Sequence, residues 1–371
     1  MKPTHLSDLK SPNTQAQKQS DYAYISAEDA RALARRLKAY KDPIPARTAW
    51  EIAQTVIPFA LSWAAALWAL QVSYPLALFF GLVTGVFTIR MFLLQHDVGH
   101  GALFKTARAN DRFGRILGVV TLTPYYMWRK MHANHHKNLG NLDDRDIGEV
   151  HTFTLKEYRA LPGWHRFAYR IYRNPVFLFG IGPVWLFFLQ HRLPFGMWRD
   201  GWIYWRSAMG TNLAIACLLA ALYAYGGWAA IWLIWFPSVW VGASAGVWTF
   251  YVQHQFEEAQ FDWQPDWTIH QKALHSSSQY VLPKPLMWVT ANMGIHHVHH
   301  LYARIPFYRL PEVLENEPLL GGAYKMTLRS SVKCIWMQLW DEERRQMISF
   351  AEERAMRRSA QEPKAGLQPA E

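Results

Sequence analysis

The chain has 371 residues, 51% of them hydrophobic, with a formal charge of +11 and two cysteines. Cys217 lies in an apolar stretch and Cys334 near the end, which argues against a disulfide framework. The positive charge sits mostly in polar segments between and after apolar blocks, which fits the positive-inside rule and anionic lipid headgroups, not nucleic acid.

In chain order, residues 1–44 form a polar tail that ends in a short helical stretch. It lacks the basic start, apolar core and cleavage site of a secretory signal, so it is expected to stay in the cytoplasm. Between Glu51 and Arg90 run 38 residues without an Asp, Glu, Lys or Arg, and between Arg206 and Glu257 run 50 more. At 1.5 Å per residue each block is long enough for two membrane crossings of roughly 20 residues. The first block breaks at Gln71-Val-Ser-Tyr-Pro75, predicting helices over 52–71 and 75–95. The second breaks at Tyr225-Gly-Gly227, predicting helices over 208–225 and 228–252. Neither tip is charged, as expected for ends that face away from the cytoplasm.

A third apolar stretch, 174–190, has only 17 residues and contains Pro175, Gly180, Gly182 and Pro183. If it crossed, the last histidine-rich segment would face the opposite side from the first two, so it reads as interfacial or re-entrant. The expected fold is therefore an all-α integral membrane protein, with four transmembrane helices in two hairpins, interfacial helices and a cytoplasmic helical cap. The main domain is expected over 45–345, followed by a flexible tail over 346–371.

Three histidine bursts follow apolar stretches. His96 and His100 are four apart and share one helical face. His132, His135 and His136 have i, i+3, i+4 spacing, and His296, His299 and His300 repeat it. One such group alone is as readily a polar helix face or an interfacial anchor. Three together, each beside hydrocarbon, would be costly to bury without a partner. Eight imidazoles exceed the three or four ligands of one zinc site and suit two metals; ligand type alone leaves iron and zinc open. His254, at the exit of the fourth crossing, is a ninth candidate.

Asn292, four residues before His296, either reaches a metal or caps a helix. His297 falls outside the i, i+3, i+4 set and reads as a supporting residue. Asp97, Asp143, Asp144 and Asp146 are candidates to accept the outer N–H of a ligating imidazole, or else form a solvated loop. His191 has an ordinary surface or interface reading. Phe79, Phe80, Phe87, Trp240, Trp248 and Phe250 on the hairpins are candidates to line an apolar tunnel, against packing or interface roles. Arg129, Lys130 and Arg304 are candidates to meet a headgroup or carrier, against solvated or lipid-facing roles.

These motifs resemble the three histidine boxes of the membrane fatty acid desaturases, closest to the bacterial acyl-lipid branch. The resemblance runs from about 45 to 345. It is carried by His-Asp-Val-Gly-His-Gly from His96, Thr-Pro-Tyr around Pro124, Gly140-Asn-Leu-Asp143 and Tyr172-Arg-Asn-Pro175. Tyr251-Val-Gln-His-Gln-Phe-Glu257, Ser277-Ser-Gln-Tyr280 and Asn292-Met-Gly-Ile-His-His-Val-His-His-Leu301 complete it. The second box departs from the family, reading Lys-Asn-Leu-Gly-Asn141 after its histidines where relatives often have Ala-Thr-Ser-Gly-Asn. That change touches substrate preference more than chemistry.

The resemblance implies a di-iron centre held by His96, His100, His132, His135, His136, His254, His296, His299 and His300, with dioxygen as co-substrate. It also implies a cytoplasmic active site on the bacterial inner membrane and an acyl-lipid substrate. With no His-Pro-Gly-Gly heme segment at either end, electrons are expected from a separate donor such as ferredoxin with its reductase. A related hydroxylase, or a zinc-bearing receptor or transporter, is the alternative. Replacing any one of the eight box histidines with alanine is expected to abolish turnover. Near-normal activity in two such variants from different boxes would reject a shared centre.

Overall fold

A computed structural model describes residues 27–145 and 148–361 of the chain. Helix α1 (Ala27–Leu37) is followed by α2 (Pro45–Leu70) and α3 (Tyr74–Gly99), joined by a three-residue turn. Both long helices begin on a proline in the first turn, where the missing N–H costs nothing. Helix α2 starts seven residues earlier than the charge-free block. Glu51 is buried there because it pairs with Arg47 at 2.7 Å and with Arg90 of α3 at 2.6 Å.

Helices α4 (Ala107–Val120), α5 (Tyr125–Asn138), α6 (Leu155–Ala160) and α7 (Gly163–Tyr172) come next. The segment 177–192 then winds in wide π-type turns around the short helical turn Gly182–Val184, bent 57° from α7. Helix α8 (Trp202–Ala230) is broken at Gly226 (φ −145°, ψ 20°) and Gly227 (φ 59°, ψ −152°), the second of which is a conformation that glycine alone adopts cheaply. After Ile231–Trp235, α9 (Phe236–His254) runs alongside α3.

By length and composition, Pro45–Leu70, Tyr74–Gly99 and Trp202–His254 can cross a membrane, and Gly163–Tyr172 with Phe177–Arg192 would make a fourth if counted as one bent span. Their outer surfaces expose Ile57, Leu61, Trp68, Phe79, Leu213 and Trp232. An apolar face of that extent needs an apolar surrounding.

Contacts define chain direction. Thr84 Oγ1 donates to Ser62 Oγ at 3.0 Å and Arg90 Nε to Thr55 Oγ1 at 2.9 Å, so α2 and α3 are antiparallel. Gly81 lies against Leu233, Gly85 against Val241, and Gly242 against Thr88, so α3 and α9 run the same way. The two tips meet where Gln71 Nε2 donates to Tyr225 Oη at 2.7 Å. Both helices therefore end together at the far end of the molecule, the end that carries His96 and His254.

The remaining chain caps that end with α10 (Ile269–His275), α11 (Lys284–Val289), α12 (His296–Leu301) and α13 (Leu310–Asn316). The fold is mostly helical but not all-α. Strand β1 (Gln279–Val281) pairs in parallel with β2 (Lys325–Thr327), and β3 (Leu339–Asp341) pairs antiparallel with β4 (Gln346–Ile348).

The ends also differ from expectation. The tail expected from 346 is instead β4 and then α14 (Phe350–Gln361), held by a fully buried Glu353 that faces Arg159 and Arg357. Helix α1 docks through fully buried Leu33 and Leu37, and Arg36 pairs with Glu317 at 3.0 Å. Residues 1–26 and 362–371 of the expected tails lie outside the described residues.

A Cβ at Gly81 would stand 2.3 Å from the Leu233 carbonyl oxygen. Gly81→Ala is accordingly expected to destabilise the protein by about 1–3 kcal/mol, as overpacking of a tight interior does. The measurement is the thermal midpoint in detergent, and an unchanged midpoint would show that α3 and α9 are free to separate.

Candidate metal centre

Four helix ends supply the nine histidines. His96 lies in the last turn of α3 and His100 caps it; His132, His135 and His136 lie toward the end of α5. His254 is the last residue of α9, and His296, His299 and His300 lie on α12. The unpaired carbonyls at helix C-termini carry partial negative charge, so α3, α5 and α9 all turn their cation-favouring ends toward the same place.

The nine side chains fall into two groups: His96, His100, His132, His136 and His299, and His135, His254, His296 and His300. Within each group one ligand-capable atom per residue lies within 4.8 Å of the others. The groups adjoin, since the rings of His136 and His300 stack at 4.1 Å between centroids.

Outer hydrogen bonds orient the rings. His254 Nδ1 donates to the Ser276 carbonyl at 2.9 Å, His135 Nδ1 stands 3.2 Å from Glu149 Oε1, and His96 Nδ1 stands 3.3 Å from Asp97 Oδ1. With its proton on Nδ1, a neutral imidazole presents a lone pair at Nε2. Those Nε2 atoms then face one another: His254 to His296 at 2.9 Å, His300 to His296 at 3.1 Å, and His135 to His300 at 3.2 Å. In the other group His136 stands 3.1 Å from His132 and 3.0 Å from His299, while His100 Nε2 is buried without a hydrogen-bond partner.

Facing lone pairs repel unless a cation lies among them. Two nitrogens bound at right angles to one metal at about 2.1 Å stand about 3.0 Å apart, the spacing seen here. The donor set thus fits two metal ions. Burial, reinforced by neighbouring imidazoles, pushes His132, His136, His296, His299 and His300 well below the ordinary histidine range, and burial takes His135 to about 3. All six rings are therefore neutral near pH 7 and need shed no proton to bind a metal.

The other candidates divide. Asp97 links His96 to the cap, because its Oδ2 accepts from the Phe307 N–H at 2.7 Å. Asp143 does not approach the histidines; its Oδ2 accepts from the Gln264 N–H at 2.7 Å and closes a loop. Asp144 accepts from Asn138, and Asp146 lies outside the described residues. Asn292 is not on the face of His296, because α12 begins only at His296 and Asn292 has φ 53° in the turn before it; its amide points to the Phe307 carbonyl at 3.5 Å. His297 belongs to neither group and donates through Nε2 to the Leu320 carbonyl at 3.0 Å. Glu149 escaped the sequence reading, since it lies in a loop 14 residues beyond His135 with no periodicity to mark it. Burial, then Asp144, raises its carboxyl to about 8.

An apolar cavity opens against the groups. Its wall includes Ile89, Phe92, Leu93, Leu186, Phe187, Val247, Phe250 and Met293, together with His96, His132 and His296. Trp128, one helical turn before His132 and stacked on it at 4.7 Å, forms another part. Of the six aromatic candidates only Phe250 lines this cavity. Phe79 is exposed and touches Phe80, Phe87 packs on Trp288, Trp248 packs on Phe179, and Trp240 donates to the Gly180 carbonyl. Arg129 pairs with Asp111 and Lys130 with Asp200, while Arg304 is exposed.

Membrane-length apolar helices that bring a neutral polyhistidine site, compatible with a metal centre, to an apolar cavity mark a membrane protein suited to an apolar substrate. The family profile described as Fatty acid desaturase matches residues 73–330, and the chain belongs to the fatty acid desaturase family. A fatty acid desaturase of Bacillus subtilis (strain 168) is 37% identical over 325 residues, covering 87% of this chain and 92% of the relative. An sn-1 acyl-lipid omega-3 desaturase (ferredoxin) of Nostoc sp. (strain 36) is 28% identical over 279 residues, covering 71% and 72%. An sn-1 oleoyl-lipid 12-desaturase of Picosynechococcus sp. is 24% identical over 288 residues, covering 73% and 78%. The protein is a desaturase, an oxidoreductase of lipid metabolism. This places the desaturase reading above the hydroxylase and zinc-receptor alternatives.

If the Glu149 carboxyl orients His135, Glu149→Ala is expected to weaken metal retention about 10–100-fold, as loss of such outer partners does. Competition against a chelator reads the change. Unaltered retention would mean that Glu149 serves only the loop.

Proposed function

We propose that the protein inserts a cis double bond into an acyl chain of a membrane lipid, with two irons held by the nine histidines, dioxygen as oxidant and two electrons from a separate ferredoxin-type donor. The observation that carries this reading is the convergence of neutral imidazoles, Nε2 inward, in two adjoining groups that open onto an apolar cavity. His96, His100, His132, His136 and His299 would hold one iron, and His135, His254, His296 and His300 the other. When bound, the irons with dioxygen supply an oxidising power toward unactivated C–H bonds that no side-chain acid or base possesses. Two electrons from adjacent methylenes and two from the donor account for reduction of dioxygen to water.

The chain's own residues contribute orientation and exclusion. Ser276, Glu149 and Asp97 hold the Nδ1 side of three rings so that Nε2 faces inward. Phe92, Trp128, Phe187 and Phe250 keep the cavity apolar, so a chain of methylenes enters it more readily than water. His96, His132 and His296 form its wall, which puts an enclosed methylene pair beside both groups, where small displacements are costly in rate.

The same arrangement supports a membrane topology of two hairpins. The uncharged tips at 71–73 and 225–227 meet at the end opposite the histidines, so the centre lies on the side of the polar, basic segments, the cytoplasmic face of a bacterial inner membrane. In this reading 45–345 is the catalytic unit, and the bent segment 177–192 enters the bilayer edge without crossing. The printed names of the cyanobacterial relatives support an acyl-lipid substrate and a ferredoxin donor.

Expression in a host that lacks unsaturated fatty acids tests the proposal. A new double bond located by mass spectrometry in membrane lipids, dependent on iron and on His135, is the expected result. A hydroxylated product, or double bonds confined to soluble thioesters, would count against it.

A further inference from the structure

One buried imidazole has no part in either histidine group. His191 closes the segment 177–192, is 3% exposed, and has no hydrogen-bond partner of good geometry at Nδ1 or Nε2. The Leu122 carbonyl is the acceptor that approaches the ring, poorly aligned and shared with Arg192, whose other terminal nitrogen donates to Asn212 Oδ1 at 3.1 Å. An imidazole always carries at least one N–H, and burying that donor unmet is costly. His191 lines the same cavity as His96, His132 and His296, with Phe187 edge-on to its ring at 5.2 Å. Along that wall Phe187, Phe92 and Trp128 lie in sequence between His191 and His132.

An acyl lipid offers few acceptors to such a donor. Its hydrocarbon has none, and its ester carbonyl lies at the boundary between headgroup and chain. His191 lies nearer the start of α8 than its break at Gly226. Asn212, joined to it through Arg192, lies five residues into the uncharged stretch that begins at Ser207, or about 7.5 Å along the helix.

We propose that His191 donates a hydrogen bond to the ester carbonyl of the acyl chain, so that the carbons between that anchor and the histidine groups set which methylene pair is desaturated. This rests on the acyl-lipid reading above. It makes His191 a substrate-binding and specificity-determining residue that counts from the ester end.

The test uses the full-length, iron-loaded enzyme in phospholipid vesicles with ferredoxin and its reductase. It compares a diacyl lipid with its ether-linked counterpart, which keeps the chain but lacks the carbonyl. The wild type is expected to favour the ester in kcat/KM by about three- to tenfold, the worth of one hydrogen bond. Products from the ether are expected to carry double bonds scattered over neighbouring positions. H191L is expected to treat the two lipids alike and to scatter the position on both, while H191Q, which keeps an N–H donor, restores the preference. Iron content equal to wild type shows that H191L is folded; if it is not, the wild-type comparison decides alone. Equal use of ester and ether by the wild type, or an ester preference that survives in H191L, overturns the proposal. Failure on both lipids with turnover of acyl thioesters would bring down the acyl-lipid reading and this inference with it.

Discussion

Facing lone pairs on buried imidazoles are the constraint on which the rest of this structure depends. Nine rings lie within two adjoining groups, and neighbouring Nε2 atoms approach to 2.9–3.2 Å. Such a cluster is unfavourable by itself and becomes favourable around cations. The protein must therefore hold the rings in place from outside. It does so with outer contacts at Nδ1 of three rings, those of His254, His135 and His96, and with helix C-termini whose dipoles favour positive charge. The carboxyls of Asp97 and Glu149, each against one ring, add acceptors close to ligands that are themselves neutral.

Holding the rings means holding four helix ends in register. The close approach of α3 and α9 through Gly81, Gly85 and Gly242 brings His96 and His254 to one level. The end of α9 is fixed from the side by the buried Arg173. Its guanidinium donates to Tyr251 Oη at 3.0 Å, Gln255 Oε1 at 2.8 Å and the Met337 carbonyl at 2.7 Å, residues that flank His254 or face it. On the other side, Arg90 joins α3 to Glu51 and Thr55 of α2 and stacks over Trp288, just ahead of the turn that leads to His296. Planar guanidinium groups suit both places because each satisfies several acceptors at once in a fixed geometry.

The cavity gives this centre its purpose. Desaturation requires an unactivated chain to rest beside the oxidant while water stays out, and a largely apolar wall meets both needs. Family membership, the exposed apolar girdle and the cavity agree on an apolar, fatty acyl substrate without drawing on the same observation.

Much of this was legible in the chain. Charge-free blocks of 38 and 50 residues announce paired apolar helices whatever their packing, because hydrocarbon excludes charge and backbone hydrogen bonding imposes the helix. The i, i+3, i+4 histidines announce themselves because ligands on one helical face must obey the helical period. Residues whose roles depend on loops and on distant partners were not legible: Glu149 beside His135, His191 on the cavity wall, and Asn292 turned off its expected face by a left-handed turn. The C-terminal helix, too, looked like a tail, since its charged sequence is explained only by Glu353 meeting Arg159 nearly two hundred residues away. Composition and periodicity thus determine which segments bury and which faces match. Only the tertiary fold decides which atom meets which, because a hydrogen bond is set by ångström-scale distances that local sequence does not encode.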